Sequence, residues 1–130
     1  MVQVPAGEGF SSEERYEIDR AIRAAEQLSR FEFSVYVGAA DGEPLAFARR
    51  LHQRLVAPER SLLILVDPGA RALEIVTGPE VRRRLTDHQV ELAALQMQSA
   101  FGADDLVGGL KRGISMLAEH ARPQNTLHAG

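Results

Sequence analysis

Apolar residues return along the chain with two different periods, and the switches between them predict the elements. Ile18, Ala21, Ile22, Ala25 and Leu28 share one helical stripe, while Glu17, Arg20, Arg23 and Glu26 occupy the opposite face. Ser11-Ser12-Glu13-Glu14, just ahead of that stripe, has the spacing of a capping box, in which a hydroxyl and a carboxylate satisfy the first helical amides. The period then drops to two in "FEFSVYV", residues 31–37, which predicts a strand. Gly38 to Gly42 interrupts it, Pro44 suits a first helical turn, and Leu45, Ala48, Leu51 and Leu55 predict a second helix that ends before Pro58. "LLILV", residues 62–66, is apolar without a break, as expected of a strand covered on both faces. After the corner Asp67-Pro68-Gly69-Ala70-Arg71 comes "ALEIVT", residues 72–77, a strand returning from a tight turn.

A strand, a crossover helix and a second strand predict a parallel pair, and the tight corner makes the next strand antiparallel to it. Gly78-Pro79 breaks the pattern, "EVRRRL" predicts a short helix, and Thr86-Asp87-His88-Gln89 is a second capping box. The helix it opens runs to about Ala100, with Val90, Leu92, Ala93, Leu95 and Met97 as its apolar set. Asp104 or Asp105 caps a last helix whose buried side is Leu106, Leu110, Gly113, Ile114, Leu117 and Ala121. Its Gly108, Gly109 and Gly113 each cost about 1 kcal/mol relative to Ala, which points to close helix packing. The expected organisation is a lead-in at 1–10 with "VQV" available as an edge strand, one α/β domain at 11–122, and a tail at 123–130. The domain is read as a small mixed β-sheet of three to four strands, a parallel pair plus an antiparallel hairpin strand, flanked by helices.

Composition removes several functions. The 130 residues contain no cysteine, so disulfides and thiolate metal sites are excluded. Aromatic residues are 5% of the chain with no Trp, which argues against stacking platforms for single-stranded nucleic acid. A formal net charge of −3 with interspersed signs argues against a duplex-binding face, so no nucleic-acid partner is expected. The apolar run at 62–66 is far shorter than a membrane span, so no transmembrane segment is expected in this chain. "MVQVPAGEGF" has no signal-peptide pattern. The location expected is cytoplasmic as the chain stands, or envelope-associated if it is a piece of a longer protein. Neither HExxH nor a Walker loop, GxSxG or GxGxxG occurs, and His88 beside Asp87 has no evident nucleophile to serve.

Topology points to the remaining chemistry. If strands 33–37 and 62–66 are parallel, their carboxyl ends open on one edge of the sheet, where α/β proteins bind ligands. Asp41 and Asp67 leave those ends, and Arg71 starts the returning strand on the same edge. Asp41 and Asp67 are candidate oxygen ligands for Ca²⁺ or Mg²⁺, and the Arg71 fork suits a phosphate. The plain alternative is that Asp67 caps its own Pro-Gly turn and Arg71 is solvated. Arg82, Arg83 and Arg84 form a second candidate, an anion patch beside a helix N-terminus, although three consecutive residues cannot share one helical face.

The apolar strand before an Asp turn, the "EIVTG" return strand and the "RRRLTD" helix and cap together resemble the TPM domain family over roughly residues 10–121. That family includes a thylakoid-lumen phosphatase-like protein, a photosystem II repair factor and many bacterial envelope proteins, and the pattern is most similar to an actinobacterial branch of unknown function. The resemblance implies an α/β sandwich. It also implies one of several activities: weak acid phosphatase action, divalent-cation binding, or assembly of membrane complexes. It adds Asp87, in "LTD", as a recurrent acidic position. Two expectations follow. The first is a protein-interaction or assembly module, with no required cofactor, an unspecified protein partner and scope for a homo-oligomer. The second is a metal-assisted phosphatase-like hydrolase using Asp41, Asp67 and Asp87, with Arg71 orienting phosphate.

Overall fold

The computed structural model describes residues 2–3 and 10–123. Four strands lie in the order β1-β2-β3-β4: β1 (Val2–Gln3), β2 (Glu32–Val37), β3 (Ser61–Asp67) and β4 (Ala72–Thr77). Two of the three residues of "VQV" do supply the edge strand, paired parallel to β2. β2 and β3 are parallel with Val35 opposite Ile64, and β3 and β4 are antiparallel with Ile64 opposite Ile75. The C-terminal tail expected at 123–130 lies beyond the described residues from 124 on.

The two faces of the sheet differ, and strand alternation sets the difference. Phe33, Val35 and Val37 of β2, with Leu62, Ile64 and Val66 of β3, point into one large core. α1 (Ser12–Ser29), α4 (Asp87–Gly102) and α5 (Leu106–Ala121) close that core with Ile18, Ile22, Met97, Leu110, Ile114 and Leu117. Leu63 and Leu65 point the other way, onto Ala48 of α2 (Pro44–Gln53). β3 is therefore buried at every position, which explains its unbroken apolar run.

Both capping boxes form, Ser11 with Glu14 and Thr86 with Gln89. Asp105 is the cap of α5, its side chain accepting from the Gly108 amide. The glycines have separate reasons. A Cβ on Gly109 would meet Ala100 Cβ and Phe101 Cε1 at 2.8 Å, and one on Gly113 would run into Met97, so α4 and α5 touch where side chains are missing. Gly108 instead leaves room for the capping Asp105 carboxylate.

Two expectations on helix faces are corrected. Leu92 is 39% and Leu95 61% exposed, although both were expected on the buried side of α4. The buried stripe of α4 is Ala93, Met97 and Ala100, and small residues suffice there because α5 lies so close. Leu28 at the end of α1 also stays exposed. The short helix α3 covers Pro79–Arg82 and inserts Val81 into the core.

Candidate functional site

The hairpin corner is built around the Asp67 side chain. Asp67 is only 7% exposed. Its Oδ1 accepts the Ala70 amide at 3.1 Å, closing the turn, and its Oδ2 accepts the Ala40 amide at 3.0 Å, across the sheet edge. One carboxylate thus ties the β3–β4 turn to the β2–α2 loop. Arg71 follows in the left-handed region, at φ 54, with its amide donating to Pro68 O. Its side chain is exposed and makes no ion pair among the described residues.

Behind this corner lies an open cleft of about 660 Å³. Val66, Asp67, Arg71 and Leu73 line it from the hairpin, Gln98 and Phe101 from the end of α4, Asp104 from the turn that follows, and Leu106 from the start of α5. Its floor is apolar, and Arg71 and Asp104 stand on its rim, both with positive φ. The α4–α5 residues were not anticipated. The available signal was helix length: α4 has 16 residues and spans about 24 Å, enough to carry Phe101 back to the carboxyl edge.

Asp41 belongs to the same edge but not to the cleft lining. It neighbours Ala40, whose amide Asp67 holds, and its own carbonyl accepts from Arg50 at 2.8 Å while its side chain stays exposed. On the α2 face of this edge, Glu43 caps α2 through Leu45 N and Ala46 N. Burial pushes the Glu74 carboxyl above its ordinary 4.5, the Glu43 carboxylate adds to the effect, and Arg49 offsets part of it.

Asp87 lies at the other end. β4 runs away from the carboxyl edge until Thr77 pairs with Leu62, α3 packs on the turn at Pro58–Arg60, and α4 starts there. Asp87 is therefore about the length of α4 away from Asp67 and Arg71. Among the described residues no group of three or more His, Cys, Asp or Glu side chains could hold a metal ion. Each Asp67 oxygen accepts one backbone amide, and Asp87 is remote from Asp67.

Arg82, Arg83 and Arg84 sit at that far end and are not equivalent. Arg84 reaches Ser29 O at 3.5 Å and covers the Phe31 ring with its guanidinium at 5.1 Å, Arg82 bonds Thr77 O, and Arg60 bonds Arg30 O. α1 has no basic residue in its last turn. Arg60 and Arg84 supply from a distance the positive charge that a helix C-terminus favours. Two of the three candidate anion-binding residues are thus committed to backbone carbonyls, and only Arg83 has no side-chain partner among the described residues. His52 is buried with Nε2 donating to Ser61 O at 2.9 Å, a structural bond.

The fold and edge define an α/β domain with a ligand-sized cleft beside a stapled hairpin. Residues 2–118 match a family described as a domain of unknown function, DUF5130, and the chain belongs to that family. An uncharacterised protein of Mycobacterium tuberculosis, Rv2468c, is 28% identical over 106 residues, or 82% of this chain, and the matched region is 64% of that relative's length. The BA42 protein of the psychrophilic bacterium Bizionia argentinensis has the same fold, with a TM-score of 0.80 at 20% identity over 90% of this chain and 84% of that one. The N-terminal domain of cg2496 from Corynebacterium glutamicum superposes with a TM-score of 0.75 at 19% identity, covering 92% of this chain and 78% of that chain. An N-terminal domain from P. gingivalis gives 0.78 at 19% identity, covering 92% and 80%.

Proposed function

We propose that this chain is a TPM-like protein-interaction module whose cleft takes an extended partner segment carrying apolar side chains next to a carboxylate. One observation carries the reading: an apolar floor of Val66, Leu73, Phe101 and Leu106 adjoins an Arg71 that has no ion-pair partner among the described residues. Ligand sites are commonly apolar clefts with a few polar groups that fix orientation, and a guanidinium fork suits a carboxylate. The resemblance in element order to TPM proteins supports an assembly role. Hydrolysis would need acids converging on one cation or phosphate oxygen, and no such triplet of side chains occurs among the described residues. Binding is therefore the better supported reading.

The test is an amide NMR titration with two acetylated hexapeptides, one alternating Leu and Asp and the other alternating Leu and Lys. The acidic peptide is expected to shift Leu73, Phe101 and Leu106, and Arg71→Glu to remove that preference. Equal shifts with both peptides, or none near Phe101, would sink the proposal.

A further inference from the structure

The fold leaves two charges around the cleft unanswered. Of the two consecutive acids after α4, Asp105 is in use: its carboxylate accepts the Gly108 amide and pairs with Arg112 at 3.1 Å. Asp104 beside it is exposed in the cleft lining, and its side chain makes no hydrogen bond or ion pair among the described residues. Arg71, which lines the cleft from the hairpin, is in the same condition. The cations of α5 are taken, Arg112 by Asp105 and Lys111 by Glu17 at 2.9 Å. Arg71 and Asp104 thus have opposite signs and line one cleft, yet they do not pair with each other. With Asp67, the lining holds two carboxylates against one guanidinium. A partner bringing only a carboxylate would answer Arg71 and still face a lining that began net negative.

We infer that the partner segment is itself of mixed charge, with an acidic residue for Arg71, a basic residue for Asp104, and apolar residues for the floor. This deepens the interaction reading above and rests on it. Successive side chains of an extended chain point to opposite sides. A segment that alternates apolar and charged residues therefore turns its apolar set toward Leu73, Phe101 and Leu106 and its charges toward the rim. The occupant has the pattern apolar, acid, apolar, base, apolar, in one chain direction or the other. Its carboxylate meets a guanidinium fork and its cation meets a carboxylate, and neither contact breaks an ion pair of the fold.

Size favours a chain over a small free zwitterion. The cleft of about 660 Å³ lies in the range of roughly 300–1,000 Å³ that takes drug-sized ligands, and it is open. One free amino acid would leave most of it unfilled, whereas a segment of several residues fills it and passes out. Gln98 in the same lining offers a peptide backbone both a donor and an acceptor. Arg71 and Asp104 hold left-handed backbone, φ 54 and φ 60, where glycine is least costly. The chain carries opposite charges at both positions instead. Complementary charges of this kind choose the partner and fix its register more than they add affinity. An all-acidic segment would set a carboxylate against Asp104, and an all-basic one a cation against Arg71.

Amide NMR titration of the full chain with four acetylated and amidated pentapeptides tests this: Leu-Asp-Leu-Lys-Leu, Leu-Lys-Leu-Asp-Leu, Leu-Asp-Leu-Asp-Leu and Leu-Lys-Leu-Lys-Leu. One of the two mixed peptides is expected to bind at least about tenfold tighter than the all-acidic one, and to shift Asp104 together with Leu73 and Phe101. Asp104→Asn removes a charge but no side-chain bond of the fold, and Asn tolerates left-handed backbone. It is expected to erase the advantage of the mixed peptide and to leave the all-acidic one bound at least as tightly. Arg71→Asp combined with Asp104→Arg is expected to reverse which order of the mixed peptide binds better, and the amide spectrum of each variant reports its fold. If the all-acidic peptide shifts Phe101 and binds as tightly as both mixed ones, or the mixed preference survives Asp104→Asn, the inference is overturned while the cleft reading stands. If none of the four peptides shifts Phe101, both fall.

Discussion

Replacing Asp67 by Ala removes a side chain that ties the β3–β4 turn to the β2–α2 loop, and the cost can be worked from its partners. Hydrogen bonds to a charged group contribute about 1.5–3 kcal/mol each, and Asp67 makes two, to Ala40 N and Ala70 N. Ala70 is exposed, so water replaces most of its bond. Ala40 is half-buried and loses more. The sum discounted in this way is about 2–4 kcal/mol, a large share of the roughly 5–15 kcal/mol that stabilises a domain. Asp67→Asn keeps one acceptor but turns an NH₂ toward the other amide, so it recovers only part of the loss. Urea unfolding of the three proteins, followed by far-UV circular dichroism, gives these differences directly. A change below about 0.5 kcal/mol in Asp67→Ala, the size of an ordinary surface substitution, would refute the staple.

The Glu74 carboxyl binds its proton more tightly in the fold than in the unfolded chain, so folding stability falls as pH rises from about its ordinary 4.5 through the raised folded value. Across that window the urea midpoint of the wild type should drop relative to Glu74→Gln; parallel curves would contradict the raised value. Gly113→Ala drives a Cβ into Met97 and should cost about 1–3 kcal/mol by overpacking, read as a lowered Tm. Pairing that change with Met97→Ala should recover part of the loss. Arg84→Ala removes a helix C-terminal charge and a guanidinium over Phe31, for a loss of about 1 kcal/mol, whereas Arg83→Ala should be neutral by the same measurement.

Element types were legible because local chemistry and tertiary context agree across most of the chain. The bounds of β4 coincide with the strand expected at 72–77, and Ser11, Thr86 and Asp105, the second of the two aspartates offered as a cap, each accept a first-turn amide. The misassigned face of α4 has a physical origin. In α4 the apolar residues are distributed nearly all round the helix, so periodicity does not single out a face. The deciding information is Gly109 and Gly113 on α5, which draw α4 in through Ala100 and Met97 and turn Leu95 outward. A helix face is chosen by its neighbour, and a neighbour far along the chain leaves no periodic mark.

The carboxyl edge was located correctly from strand direction alone, but its membership was only half legible. Asp67 and Arg71 line the cleft together, and Asp41 is one residue from the Asp67 bond. Grouping Asp87 with them ignored a consequence of the same topology. A strand that returns antiparallel delivers the chain to the opposite edge, so everything just after Thr77 starts at the amino ends of β2 and β3. Only a helix long enough to cross the domain comes back, and α4 does so at Phe101, not at Asp87. Direction counted strand by strand therefore separates the acids that an enzyme would need together, and it brings apolar Phe101 and Leu106 to Arg71 instead. The return of α4 thus sets apolar Phe101 and Leu106 together with the acid Asp104 beside Arg71, the mixed lining on which the proposed binding role rests.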